Sequence, residues 1–373
     1  MGARLAVFGA EWRTITTDPW IIDTVESGYR LEFTSQPHQA ALPRVAKFNA
    51  QLQSICDAEV HSLLEKRAII RSQSQGGFVS SLFVIPKKSG GHRPIINLKP
   101  LNDFIICEHF KLENLETARS LVRANDWFVK IDLTDAYLTV PIHRDHQKFL
   151  KFVWGGETYQ FTCLPFGLSS APRVFTKLLR PVLAHLRRHG IRMVIYLDDI
   201  LIMNSDRAKL LEELSVTVTF LQRLGFLINV GKSIFTPIQE IEYLGLLLNS
   251  VMLEFRLTPD KVKSIIELCS ELIHSTQCSL RSVSKILGLL LWAATAIPYA
   301  LAHFRDLQMF QIEMLRIWNG KLDTRDTLST TARADLSWWI SNVTTIRGRS
   351  FSITEPDLFI FFMLFPNQLG CSV

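Results

Sequence analysis

The chain has 373 residues, 47% hydrophobic and 20% charged, which excludes a disordered polymer and calls for more than one core. A net charge of +6 and a pI near 9.0 suit a polyanionic partner without demanding one. Six scattered cysteines (Cys56, Cys107, Cys163, Cys269, Cys278, Cys371) include no CxxC pair, so neither a zinc centre nor a disulfide framework is expected. That usage fits a reduced, intracellular setting, cytoplasmic or nuclear, and no signal peptide is evident.

Residues 1–55 read as a loosely organised extension in which Trp12, Trp20, Tyr29 and Phe33 punctuate a polar stretch and lay aromatics onto the main body. Helical spacing of Leu52, Ile55, Val60, Leu63 and Leu64 predicts a helix between Phe48 and Ile69. Ser81–Ile85 and Arg93–Leu98 read as strands joined by the basic turn Lys87-Lys88-Ser89-Gly90-Gly91. Trp127–Leu133 is a β-prone run with Asp132 near its end, and Phe149–Trp154 and Thr158–Cys163 are two further strands. Helices are predicted over Ala171–His185 and Ala208–Leu224, the second stopped by Gly225, with short strands at Leu227–Val230 and Glu242–Leu248. From Thr258 to Trp339 the pattern is helical, which places a boundary near residue 255. The uncharged run Ile286–Ala302 falls short of the roughly 20 apolar residues of a membrane span, so it reads as a core helix and no membrane partner is expected.

The most informative segment is Met193–Met203, an apolar run interrupted only by Asp198 and Asp199. A buried carboxylate without a partner is strongly disfavoured, so two in an apolar hairpin call for a cation or a functional site. The run reads as strand, tight turn and strand with the acids at the tip. Should the strand ending in Asp132 lie beside it, three carboxylates meet at one sheet edge. Two-metal phosphoryl transfer wants such a set, because a pair of Mg²⁺ ions about 4 Å apart takes hard oxygen ligands. Either acid alone is as well explained by a turn or cap.

Tyr196-Leu197-Asp198-Asp199, preceded by Asp132-Leu133-Thr134-Asp135-Ala136-Tyr137 and by Leu164-Pro165-Phe166-Gly167-Leu168-Ser169-Ser170-Ala171-Pro172, resembles the reverse transcriptases of retroelements over roughly residues 60–250. With the amino-terminal Trp12, Asp18, Trp20 and Gly28-Tyr29-Arg30 and the Trp338-Trp339 segment, it looks most like the DIRS-type retrotransposons, with Gypsy-type and pararetroviral enzymes as near relatives.

The resemblance implies an α+β right-hand polymerase. Residues 56–255 would form fingers and a palm with an antiparallel sheet, 256–345 a helical thumb, and 346–373 a truncated tail where a ribonuclease H domain would begin. The implied activity is RNA-directed DNA synthesis from dNTPs on an RNA or DNA template with primer. Asp132, Asp198 and Asp199 would bind two Mg²⁺ ions, replaceable by Mn²⁺, with the Leu133 carbonyl completing a site. Tyr137 would exclude a 2′-hydroxyl, and Asp135 and Ala136 would offer amides to the triphosphate. Lys87 and Arg93 would neutralise its outer phosphates. Phe166 and Gly167 would floor the nucleotide site, Lys232 would protonate the departing pyrophosphate, and Tyr243-Leu244-Gly245 would grip the primer.

The run Phe359–Phe365 has no acid where a ribonuclease H strand would carry one, so that activity is not expected from this chain. Two rival readings are a decayed remnant that binds nucleic acid without polymerising, and another palm-type enzyme such as a nucleotidyl cyclase. The basic hairpin and the Leu-Pro-Phe-Gly segment argue against the second rival. Oligomeric state is not legible.

Overall fold

The computed structural model describes residues 2–43, 48–72, 76–86, 92–346 and 348–350; of Pro86 and Arg93 only the backbone is described. Lys87, Lys88 and the segment 351–373 lie outside the described residues. The chain divides into two compact units, Met1–Leu244 and Gly245–Val373.

The first unit opens with helices α1 (Gly9–Ile15) and α2 (Pro19–Glu26). Asp18 caps α2 by accepting the Trp20 N–H, and Pro19 occupies the first helical turn, where its missing N–H costs nothing. The expectation of a loosely organised extension is therefore overturned. Leu5, Trp12, Ile21, Val25, Tyr29 and Leu31 are buried in the main core. Trp12 donates its indole N–H to the Leu224 carbonyl at 3.0 Å and sets its ring edge-on against Phe226. The expected laying of aromatics onto the body is thus observed, in a more ordered form.

Helix α3 (Ala50–Glu65) leads into strands β1 (Ile69–Arg71), β2 (Val79–Pro86) and β3 (His92–Asn97). Helices α4 (Lys99–Asn102) and α5 (Leu115–Leu121), strand β4 (Trp127–Asp132) and the single turn α6 (Arg144–Gln147) follow. Strands β5 (Lys151–Trp154) and β6 (Glu157–Phe161) then complete a five-stranded sheet of order β1-β6-β5-β2-β3, antiparallel except where β2 meets β5.

The chain continues through α7 (Ala171–Arg188), β7 (Arg192–Tyr196), β8 (Asp199–Asn204), α8 (Arg207–Arg223), β9 (Ile234–Ile238) and β10 (Glu240–Tyr243). Strands β7, β8, β4 and β9 form an antiparallel sheet in that order. Helix α7 buries Val174, Phe175, Leu178, Leu179, Val182 and Leu186, one continuous apolar face, in the same core as Val129 and Ile131 of β4. Lys130 and Asp132 alternate to the opposite side of that strand.

The second unit comprises β11 (Leu246–Asn249), β12 (Glu254–Leu257), α9 (Pro259–His274), β13 (Cys278–Ser279), α10 (Leu280–Ala293), α11 (Arg305–Ile317), β14 (Arg325–Asp326), α12 (Thr330–Asn342) and β15 (Arg349–Ser350). Its core includes Ile265, Leu280, Leu290, Leu336 and Trp339, and the Trp339 indole donates to the His303 carbonyl at 2.7 Å. The strand predicted over Glu242–Leu248 is broken at Leu244 and Gly245, whose φ angles of 49° and 83° cannot continue a strand. The division consequently falls there, ahead of the expected boundary near 255, and the β11–β12 hairpin goes with the helices. The predicted helix over Ile286–Ala302 ends at Ala293, and no helix among the described residues is long and apolar enough to cross a membrane.

Candidate active site

Strands β7 and β8 pair from Arg192↔Met203 to Tyr196↔Asp199, leaving Leu197 and Asp198 as a two-residue turn. Leu197 has φ +55°, and Asp198 is not among the residues of positive φ, which is the pattern of a type II′ turn. Glycine is the usual occupant of that first position. A leucine there costs on the order of 1–3 kcal/mol and must be imposed by its surroundings.

Strand β4 supplies the third acid. Asp132 is the direct cross-strand partner of Asp199, and the Leu133 N–H donates to the Asp198 carbonyl at 3.0 Å. Directly opposed residues on one sheet face hold their Cβ atoms about 4.5–5.5 Å apart. The Asp132 backbone is fixed on its other side: its N–H donates to Ser233 Oγ at 3.0 Å, that hydroxyl donates to the Asn229 carbonyl at 2.7 Å, and Asn229 N–H donates to the Asp132 carbonyl at 2.8 Å.

The acids feel one another. Burial raises the Asp198 carboxyl above its ordinary value even though the residue is exposed at the tip, and the Asp132 charge raises it further. Burial likewise raises Asp199, opposed mainly by Lys130, whose Nζ lies 3.8 Å from Asp199 Oδ1. Lys232 is exposed, and its charge is felt at both Asp198 and Asp199. Among the described residues no three His, Cys, Asp or Glu side chains are arranged to hold a metal ion as they stand. The donor chemistry nevertheless fits a hard divalent cation: carboxylate oxygens are held together at a cost that a cation would relieve.

Around the acids, Tyr137 stands half-buried with its ring 5.1 Å from Phe166 and edge-on to Phe175 at 5.5 Å. Burial, then the Asp198 charge, pushes its phenol up to about 12. Phe166 is 46% exposed. Gly167 (φ +92°) lies in the same turn, and Asn102 pins that turn by donating to the Gly167 carbonyl and accepting the Ser169 N–H, both at 2.9 Å. Asp135 has φ +49° and pairs with Lys66 at 2.9 Å, while Ala136 is buried.

The expected primer grip divides. Tyr243 is 1% exposed, and burial raises its phenol, with Asp199, Glu113 and Tyr196 adding to the shift. Its ring is therefore packed near the acid-bearing hairpin, leaving the partly exposed Leu244 and Gly245 as the segment open to contact. Arg93 stands on β3 opposite Ile85 by backbone register, and Lys87 falls outside the described residues.

Sequence reasoning missed the supports. Ser233, Asn229 and Asn102 carry no local motif. Glu113 accepts the Ile195 N–H at 2.9 Å, and Arg187 joins Glu113 and the Met193 carbonyl, each at 2.7 Å. Strand β7 is an edge of its sheet, so these two side chains stand where a neighbouring strand would donate and accept.

The fold is of the α+β class with three carboxylates gathered at one hairpin, and comparison with known proteins shows what it is similar to. Residues 85–248 match the family described as reverse transcriptase (RNA-dependent DNA polymerase). The chain is 28% identical over 230 residues to the Gag-Pol polyprotein of Walleye dermal sarcoma virus, covering 60% of this chain and 13% of that protein. It is 25% identical over 224 residues to the Transposon Tf2-3 polyprotein of Schizosaccharomyces pombe, covering 60% of this chain and 16% of the relative. A foamy viral protease–reverse transcriptase in complex with double-stranded DNA superposes with a TM-score of 0.68 at 18% identity, covering 92% of this chain and 61% of that one. The same kind of protein in complex with an RNA/DNA hybrid gives 0.66 at 17% identity, covering 94% and 47%. Sequence and fold thus set this chain beside the reverse transcriptases of retroelements and retrovirus-like elements, and it spans only a small part of the curated polyproteins it matches.

Proposed function

We propose that the chain is an RNA-directed DNA polymerase of a mobile element, joining dNTPs to the 3′ end of a primer on an RNA or DNA template. The observation that carries this reading is the pairing of Asp132 with Asp199 beside a tip that carries Asp198. Asp132 and Asp198 would hold two Mg²⁺ ions, with Mn²⁺ a substitute, and the Leu133 carbonyl stands next to Asp132 to assist. When bound, such a pair supplies charge stabilisation to the attacking and departing oxygens.

The chain's own residues do the rest. The Tyr137 ring, wedged between Phe166 and Phe175, forms a wall against which a 2′-hydroxyl has no room. The backbone around Asp135 and Ala136 and the cations Lys87 and Arg93 take the triphosphate, and Lys232 stands near enough to feel the acids and give a proton to pyrophosphate. Leu244 and Gly245 take the primer contact in place of Tyr243. Phosphate contacts would make template binding fall steeply with salt. The relatives named above as complexes with double-stranded DNA and an RNA/DNA hybrid support the template and primer assignment.

A DIRS-type placement within the retroelements rests on the resemblance of the amino-terminal stretch and of Trp338-Trp339. Residues 256–345 are assigned the thumb's part, and an intracellular site of action accords with free thiols at Cys56, Cys107, Cys163, Cys269 and Cys278. Primer extension on poly(rA) primed with oligo(dT) tests the activity: Mg²⁺-dependent synthesis abolished by Asp198→Ala is expected. Synthesis that survives the substitution rejects the carboxylate assignment.

A further inference from the structure

The polymerase reading treats Asp132, Asp198 and Asp199 as one set of acids, but the structure does not treat them alike. Lys130 sits two residues before Asp132, on the same face of β4, and its register partner on β8 is Leu201, two residues after Asp199. The ammonium therefore stands diagonally behind the acid pair. Its Nζ comes within 3.8 Å of Asp199 Oδ1, with only 19% and 30% of the two side chains exposed. On the other side, β9 shifts register between Ile238 and Ile234, so that Lys130 faces Ile234. A lysine between an apolar neighbour and a half-covered carboxylate has little water to turn to, and the carboxylate is its charged neighbour at hand. Asp199, on the adjacent strand, is the acid with an oxygen within ion-pair distance of Lys130, while Asp198, displaced into the turn, feels the same charge as a lesser influence.

We propose that Lys130 is a positioning residue that holds Asp199 away from the bound cations, so that Asp132 and Asp198 carry the metal and Asp199 completes the charge balance behind them. The proposal deepens the polymerase reading and rests on it. It assigns a further charge of the site to a residue that neither motif nor composition singles out.

Mn²⁺ binding by the whole chain without nucleic acid, measured calorimetrically, tests the division of labour independently of turnover. Asp132→Asn and Asp198→Asn are expected to weaken binding more than about tenfold, and Asp199→Asn less than about threefold, because Asp199 already has its cation. Lys130→Met, which keeps the length and loses the charge, is expected to tighten binding at least about threefold by releasing Asp199. That gain should be mostly lost when Asp199→Asn is combined with it, and Lys130→Arg should behave as wild type. A loss through Asp199→Asn as large as through Asp132→Asn overturns the proposal, as does unchanged Mn²⁺ affinity in a folded Lys130→Met protein. Should Lys130→Met not fold, the comparison of Asp199→Asn with Asp132→Asn decides alone. If Asp132→Asn and wild type bind Mn²⁺ alike, the polymerase site itself is wrong, a result distinct from failure of the lysine assignment.

Discussion

Asp132 and Asp199 face each other directly across strands β4 and β8, although they lie far apart in the chain. Adjacent to them, the Asp198 carbonyl accepts the Leu133 N–H, so the tip acid is tied by its backbone to the strand that carries Asp132. Negative charge is concentrated at one end of the two central strands by backbone geometry.

The metal-free site carries a stability cost. Burial raises the Asp198 carboxyl, so the unfolded chain gives up its proton first as pH rises. The stability that this one group contributes is fully present below the ordinary carboxylate range and is lost as pH climbs through its raised value in the folded chain. Asp198→Asn should therefore melt above wild type at pH 7 in chelator, with the gap closing as pH falls through the raised value toward about 4. Thermal scans across that range check this, and an Asn variant less stable than wild type at neutral pH contradicts it.

Tyr137 owes its position to two aromatic contacts, at 5.1 and 5.5 Å. Tyr137→Ala should raise ribonucleotide use relative to deoxyribonucleotide use by at least about tenfold, since a lost wall removes a steric penalty and adds little affinity. Competition between rNTP and dNTP in primer extension reads the ratio, and an unchanged ratio removes the ring from the account.

Glu113 and Arg187 satisfy the open edge of β7, two residues from the acid-bearing turn. Glu113→Ala strands the Ile195 N–H and leaves Arg187 only its Met193 contact, at a cost of about 1–3 kcal/mol. The expected kinetic signature is a fall in kcat larger than the change in KM for dNTP, partly restored by Glu113→Gln, which still offers an acceptor. Equal losses in the Gln and Ala variants would remove the edge clamp.

Trp12 ties the amino-terminal helices to the main core through a buried ring and the Leu224 carbonyl. Trp12→Ala should destabilise the first unit by about 3–5 kcal/mol in denaturant titrations. A cost below 1 kcal/mol would show that these helices are accessory after all.

The hairpin was legible because its signal is local: an apolar run, two acids and a short turn. Strand β9 escaped because Pro237 lies inside it, and proline normally argues against a strand. Here β9 is a sheet edge, where a missing N–H is tolerated. The amino-terminal helices carried a readable start in Asp18-Pro19, hidden by the surrounding polar residues. Leu227–Val230 looked like a strand and contributes an isolated bridge of Ile228 to Leu133 together with the Asn229 contact to Asp132. Asn102 and Glu113 act through partners distant in sequence, and Ser233 joins a local contact to Asn229 with a distant one to Asp132, so no local pattern marks their roles. Lys130 was in plain view, but its role depends on a neighbour that only strand pairing supplies.

The most direct measurement is the anomalous diffraction of Mn²⁺ in crystals of the protein with primer, template and an incoming nucleotide. The account predicts two peaks about 4 Å apart, with carboxylate oxygens of both Asp132 and Asp198 at coordination distance. Manganese bound elsewhere, or not shared by these two side chains, would contradict it.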